Sequence, residues 1–385
     1  MKRWQVSIAL LIGLSGCARA TPQATPTAIV ASSPVAATSA PTPAPTATAF
    51  PIPSPTALPT PSPTPKPAIV YTQLTKGECC VQPFFSPDGT QVMFLDKPSA
   101  KAPTGIYGIA LNAPLSEPVF FNAHPGPYNP DMTLGVDIEG GRTIIKRLSD
   151  NKKWVIPNDR RNVSFSPDSK HIIWSVTEPF GNFDVRRSDI YIANPDGTEA
   201  KILTSVYSGG FQGWLSDSNH IIVGGKARRT DPTTSFKVLS IVDGSTRDLV
   251  ETERTRGVQL SPDNKWMLYM VAQAQNEKLN GMYIVSLTEP NPKAMAIEGF
   301  GAYRWCSPNK LLYIPLQTTA PSSELWMLDI VNQSRKNLIP TSPDSPFKIG
   351  NGDWIVSTLT GGLKIAYVNA RDRNIWLADL GDVCK

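Results

Sequence analysis

One short element recurs along the chain and limits what it can fold into. An apolar residue precedes Ser-Pro-Asp or a near relative, and an apolar run follows a few residues later. Clear copies are Phe85-Ser86-Pro87-Asp88-Gly89, Phe165-Ser166-Pro167-Asp168, Leu215-Ser216-Asp217, Leu260-Ser261-Pro262-Asp263 and Cys306-Ser307-Pro308-Asn309. Asn129-Pro130-Asp131 is a weaker copy, and Thr360-Gly361-Gly362 is a degenerate seventh. The Asp or Asn positions 88, 131, 168, 217, 263 and 309 are spaced by 43, 37, 49, 46 and 46 residues. A fixed period of this length marks a repeat architecture.

The element is turn chemistry. Proline fixes φ, aspartate bonds the nearby backbone and glycine tolerates positive φ. Flanked by short β-branched and aromatic runs, it joins two antiparallel strands. A second hairpin follows in nearly every unit, most clearly at 190–193, the turn Asn194-Pro195-Asp196-Gly197, and 201–204. Four strands per unit of about 45 residues is the pattern of a β-propeller blade. The expected fold is therefore all-β, one propeller of four-stranded antiparallel blades, with seven blades expected and six as the alternative. The last unit ends at the run 375–380 with three strands. Its fourth is expected from the run at 69–74, closing the ring and removing both free edges.

The Phe-Ser-Pro-Asp-Gly elements and Ile190-Tyr191-Ile192-Ala193-Asn194-Pro195-Asp196-Gly197 resemble the WD-like repeat of TolB-type β-propellers. The resemblance covers about 300 residues, from Ile69 to Lys385. It implies the fold and a broad range of functions, including periplasmic assembly factors, lipoproteins and the propeller halves of serine peptidases. Many propellers of this type have six blades; counting both weak copies gives seven here.

Proline divides the chain. Fourteen of its 37 prolines fall between Pro22 and Pro67, in a stretch of Pro, Thr, Ala and Ser. Such a composition cannot bury a core and favours extended polyproline II. Before it, Lys2, Arg3 and a short apolar run lead into Leu14-Ser15-Gly16-Cys17, which resembles the bacterial lipobox. The run is too short to span a bilayer. The expected organisation is a lipoprotein signal peptide at 1–16, a lipidated Cys17 with a disordered linker at 17–67, and the propeller at 68–385. Residues 1–67 carry four of the 37 basic side chains and none of the 32 acidic ones, leaving 33 against 32 and a net charge of +1. A nucleic-acid partner would require a basic stripe, and none is expected.

An exported chain keeps disulfides. Cys79 and Cys80 lie near one end of the propeller and Cys384 near the other. A Cys384 bond to Cys79 or Cys80 is expected, with Cys306 buried and free.

Chemistry-bearing motifs are sparse. The Gly-x-Ser-x-Gly elbow of hydrolases does not occur. His171 and His220 hold equivalent positions in different repeats and His124 sits in a Pro/Gly loop, so no histidine metal site, cofactor or catalytic residue is expected. The turn carboxylates Asp88, Asp131, Asp168, Asp217 and Asp263 are read as backbone caps. Trp214 and Trp305, with Gln212 and Arg304, precede turns in innermost strands; they are candidates for ligand contact in the channel, with packing between blades as the competing role. The expected function is a monomeric, membrane-anchored binding or scaffold module outside the cytoplasm, held to the bilayer through Cys17. Its partner would be an envelope protein or glycan; a hydrolase or lyase acting on envelope polysaccharide or peptide is the alternative.

Overall fold

The computed structural model describes residues 69–385 apart from Pro98, His124, Gln275, Gln317 and Thr318. The signal peptide, Cys17 and linker expectations lie outside the described residues, as does His124.

Strand β1 (Val70–Gln73) opens the described chain. The first sheet follows with β2 (Val81–Phe85), β3 (Gln91–Asp96), β4 (Gly105–Ala110) and β5 (Val119–Asn122), paired in sequence order. A three-stranded sheet comes next, made of β6 (Leu134–Glu139), β7 (Arg142–Arg147) and β8 (Lys153–Ile156). A seven-stranded sheet contains β9 (Ser164–Phe165), β10 (Ile172–Thr177), β11 (Arg187–Ala193), β12 (Lys201–Trp214), β13 (His220–Lys226), β14 (Thr234–Ser240) and β15 (Thr246–Thr252). Two four-stranded sheets follow: β16 (Thr255–Leu260), β17 (Trp266–Val271), β18 (Gly281–Ser286) and β19 (Met295–Ile297); then β20 (Gly301–Ser307), β21 (Lys310–Pro315), β22 (Leu325–Asp329) and β23 (Ser334–Ile339). The last sheet is β24 (Ile349–Ser357), β25 (Leu363–Asn369) and β26 (Ile375–Gly381), completed by β1.

All pairings are antiparallel, and the helical pieces among the described residues are two single 3₁₀ turns, Phe183–Val185 and Glu277–Leu279. β1 pairs with β26 in the register Val70↔Asp379 to Gln73↔Trp376. Beyond it, the Leu74 amide donates to the Ile375 carbonyl at 2.8 Å, and the Ile375 amide donates to Thr75 Oγ1 at 2.8 Å. The strand expected at 69–74 therefore closes the last sheet. Antiparallel sheets in chain order, closed by the pairing of β1 with β26, the first and last strands of the described residues, make a β-propeller.

The core lies between neighbouring sheets because the middle strands, such as β3, β4 and β25, bury residues on both faces. In β25, Ile365 and Tyr367 pack towards β20–β23, while Ala366 and Val368 pack towards the first sheet. Similar clusters join β6–β8 to β9–β11, the two halves of the seven-stranded sheet, β13–β15 to β17–β18, and β17–β18 to β20–β21. β12 joins two units in one strand. Its first half pairs with β11 and its second with β13, with an irregularity between Tyr207 and Gly210. Glycine is required there, since a Cβ on Gly209 would stand 1.9 Å from the Gly224 carbonyl oxygen.

The repeated turns explain the sequence period. Ser86, Ser166 and Ser261 are buried and donate to Asp88, Asp168 and Asp263 at 2.6, 2.7 and 2.8 Å. Each hydroxyl also accepts from the amide five residues on, that of Gln91, His171 or Trp266, at 3.0 Å. In the weaker copy Asn129 Oδ1 takes the amide of Leu134 at 2.8 Å. The carboxylates of Asp88, Asp168 and Asp263 accept the amides of Thr90, Lys170 and Lys265 at 3.0, 3.1 and 3.1 Å, which makes them backbone caps.

The cysteine pairing differs from the expectation. Cys384 is bonded to Cys306, with Cα atoms 6.0 Å apart, and Cys79 is bonded to Cys80. Cys384 packs in the cluster between β20–β23 and the last sheet, whereas Cys80 packs in the cluster between the last sheet and the first. A whole sheet separates them, so nearness to the chain ends does not bring them together.

Candidate functional site

One junction is built differently from the rest. Among the described residues, no buried hydrophobic cluster joins the first sheet, β2–β5, to the three-stranded sheet, β6–β8. A cleft of about 390 Å³ lies there, lined by Phe84, Phe85, Leu95 and Ile106 on one side and by Pro125, Pro127, Tyr128, Pro130 and Met132 on the other. The local sequence explains the opening. His-Pro-Gly-Pro-Tyr stands at 124–128, where other units place the apolar strand before the turn. Pro125 and Pro127 have no amide to donate to a ladder. The inner strand of this unit shrinks to a bridge between Tyr128 and Gly135, with the Val136 amide donating to the Pro127 carbonyl at 2.9 Å.

The lining is apolar with few polar groups, the composition of a ligand pocket. Asn129 is 2% exposed and committed to the turn, its amide donating to Thr133 Oγ1 at 3.1 Å and Ser169 Oγ at 3.0 Å. Gln82, on β2, is exposed at the cleft and its side chain offers both donor and acceptor. Phe121 meets the Tyr128 ring edge-on at 5.9 Å. Burial first, then the charge of Asp137, raises the Tyr128 hydroxyl to about 12, so it is neutral at ordinary pH. A hollow of about 540 Å³ beside β14 and β15 is different in kind. It is lined by charged side chains, and four of them form ion pairs within it, Arg228 with Asp231 at 2.9 Å and Lys237 with Asp248 at 2.9 Å.

The four residues singled out as channel contacts do not converge. Trp214 is 9% exposed, packs in the core of the seven-stranded sheet and donates to the Ser164 carbonyl at 3.4 Å. Trp305 is 9% exposed in the cluster between β17–β18 and β20–β21. Both pack between units, because their side chains leave the inner strands sideways. Gln212 donates to the nearby Gly210 carbonyl at 3.3 Å. Arg304 lies over the Trp354 ring at 5.4 Å and donates to the Tyr303 carbonyl at 2.8 Å, and burial lowers the pKa of its guanidinium. On β24, next to Trp354, Asp353 is half-buried; burial raises its pKa, against the Gln82 amide donating to it.

His220 Nδ1 is 2.6 Å from Asp217 Oδ2 within its own turn. Among the described residues, one cluster gathers three side chains of metal-ligand type: Cys79, Cys80 and Asp96 have their ligand atoms within 4.8 Å of one another, the two sulfurs being joined as the disulfide.

The fold agrees with the solved structures the chain is similar to. An oligogalacturonate lyase in complex with manganese matches at 11% identity and a TM-score of 0.54, over 82% of this chain and 94% of the other. Oligogalacturonate lyase from Vibrio parahaemolyticus matches at 13% and 0.50, over 82% and 94%. TolB from Acinetobacter baumannii is similar at 16% and 0.36, over 81% and 79%. No family model and no curated protein matches the chain. At these identities the likeness to the two lyases is one of fold.

Proposed function

We propose that this chain is a membrane-anchored extracytoplasmic lipoprotein whose propeller binds an envelope protein or glycan in the cleft between β2–β5 and β6–β8. The cleft carries the reading: an apolar, proline-lined opening where the other junctions are packed. The anchor is the diacylated Cys17, supported by the charged start, the short apolar run and Leu14-Ser15-Gly16-Cys17. Residues 18–67 form the tether. The propeller acts as a monomer of seven four-stranded blades. Supporting that count are β12, which serves two units, and the Tyr128–Gly135 bridge, which stands for the inner strand missing from the three-stranded sheet.

Capture from solubilised native envelopes with the full chain tests the binding site. Phe84→Ala and Pro127→Ala should each lose the captured partner while keeping the wild-type circular dichroism. Capture that is equal with both variants removes the cleft from consideration. For the anchor, Cys17→Ser should move the chain from the membrane to the soluble fraction; continued membrane association would refute lipidation there.

A second reading, a hydrolase or lyase acting on envelope polysaccharide or peptide, is favoured by one observation. Asp353 is a half-buried acid whose pKa burial raises, on the innermost strand of the last sheet. Turnover in a polysaccharide and peptide screen, abolished by Asp353→Asn, would establish it.

A further inference from the structure

The vicinal pair Cys79–Cys80 lies in the segment that carries the chain from β1 to β2. Val81 pairs with Leu95, and continuing that antiparallel register sets Cys80 opposite Asp96, at the end of β3. Cys80 Sγ is 3.9 Å from Asp96 Oδ2. Cys80 is 7% exposed in the cluster between the last sheet and the first, while Cys79 and Asp96 are half-buried.

The segment is held in an unusual conformation. Gly77, Glu78, Cys80 and Gln82 have φ of 91°, 55°, 81° and 54°. Such residues persist where the surroundings over-determine them. Here the Glu78 amide donates to Asn374 Oδ1 at 3.2 Å, and Leu74 and Thr75 are tied to Ile375. The segment is thus tied at Leu74, Thr75 and Glu78 on one side and by the Val81–Leu95 pairing on the other, which holds both cysteine backbones beside Asp96; on reduction the two sulfurs have only to swing apart to face one ion.

We propose that Cys79, Cys80 and Asp96 form a redox-gated site for a thiophilic d¹⁰ cation of the Zn²⁺ class. As a disulfide, the pair has no thiolate to offer and the site is closed. A dithiol opens it: the Cys79–Cys80 bond breaks, a disulfide forms in the reductant, and its two protons pass to the cysteine sulfurs. On binding, the two thiols release two protons and both thiolates and the carboxylate ligate the ion. Two soft sulfurs select Zn²⁺ over Mg²⁺ or Ca²⁺, which prefer oxygen. Three protein ligands leave a fourth tetrahedral position for water or a ligand. The site also links the β1–β2 segment to β3, beside the cleft residue Leu95. The site stands whether or not the cleft binds a partner.

Cd²⁺ alone is the probe, followed by equilibrium dialysis and by thiolate-to-metal charge-transfer absorption, in full-length chain carrying Cys17→Ser. As-isolated protein should bind none. Protein treated with dithiothreitol and desalted without oxygen should bind one Cd²⁺ per chain. Cys80→Ser should abolish this binding, and Asp96→Asn should weaken it at least tenfold. The double variant Cys306→Ser, Cys384→Ser should keep the site, separating it from the other cysteine pair. Near-ultraviolet circular dichroism checks that each variant is folded. Equal Cd²⁺ binding before reduction, binding retained in Cys80→Ser, or no binding once titration finds both thiols free would each overturn the proposal.

Discussion

At the scale of single residues, three of the turns pair a buried serine, Ser86, Ser166 or Ser261, with the aspartate two residues on. Ser166 is fully buried, donates to Asp168 and accepts from the His171 amide. Ser166→Ala leaves that amide without its side-chain acceptor, which should cost about 1–3 kcal/mol, read from the urea midpoint at neutral pH. The carboxylates define an acid limit. Hydrogen bonds hold Asp88 below the usual range, chiefly from Ser86, and Asp168, chiefly from Ser166; the Ser245 amide leads in bringing Asp243 to about 2. A pKa depressed on folding stabilises fully above the unfolded value, about 3.9 for Asp, and that stability is lost as pH falls through the folded value. Stability should therefore decline between about pH 4 and pH 2. A variant with Asp88, Asp168 and Asp243 all changed to Asn should show a shallower decline; an unchanged one would show that these turns do not set the limit.

At the scale of elements, closure depends on a short strand. β1 offers four paired residues, and Thr75 then caps the Ile375 amide while 3% exposed. Thr75→Val keeps the shape but leaves a buried amide unbonded, a cost of about 1–3 kcal/mol. Hydrogen exchange should show the loss first at β26, as opening of the seam; uniform loss across all sheets would contradict a local role. The turns, the hairpins and this closing strand were all legible in the sequence because they rest on local chemistry and a period. The cleft was not read, although its signal was present: Pro125-Gly126-Pro127 replaces an apolar strand before the weakest repeat. A weak repeat by itself does not say whether a neighbouring unit fills the gap.

For the whole molecule, the Cys306–Cys384 bond spans 78 residues and fastens the last residues to β20. In the chain-entropy account, a loop of that size is worth up to about 4.5 kcal/mol. Cys384→Ser should lower the urea midpoint by a corresponding amount, and reductant should then lower it no further through this bond. An unchanged midpoint would show that the tail adds nothing to closure. The sequence by itself determined the all-β repeat, the turn caps and the strand that closes the ring, since each follows from residues near one another or from a regular period. Only the tertiary structure decided which cysteines meet, that Trp214 and Trp305 turn into the core, and which junction stays open. Those outcomes depend on which face of a sheet a side chain occupies and on what the next sheet brings against it, and neither is a property of local sequence.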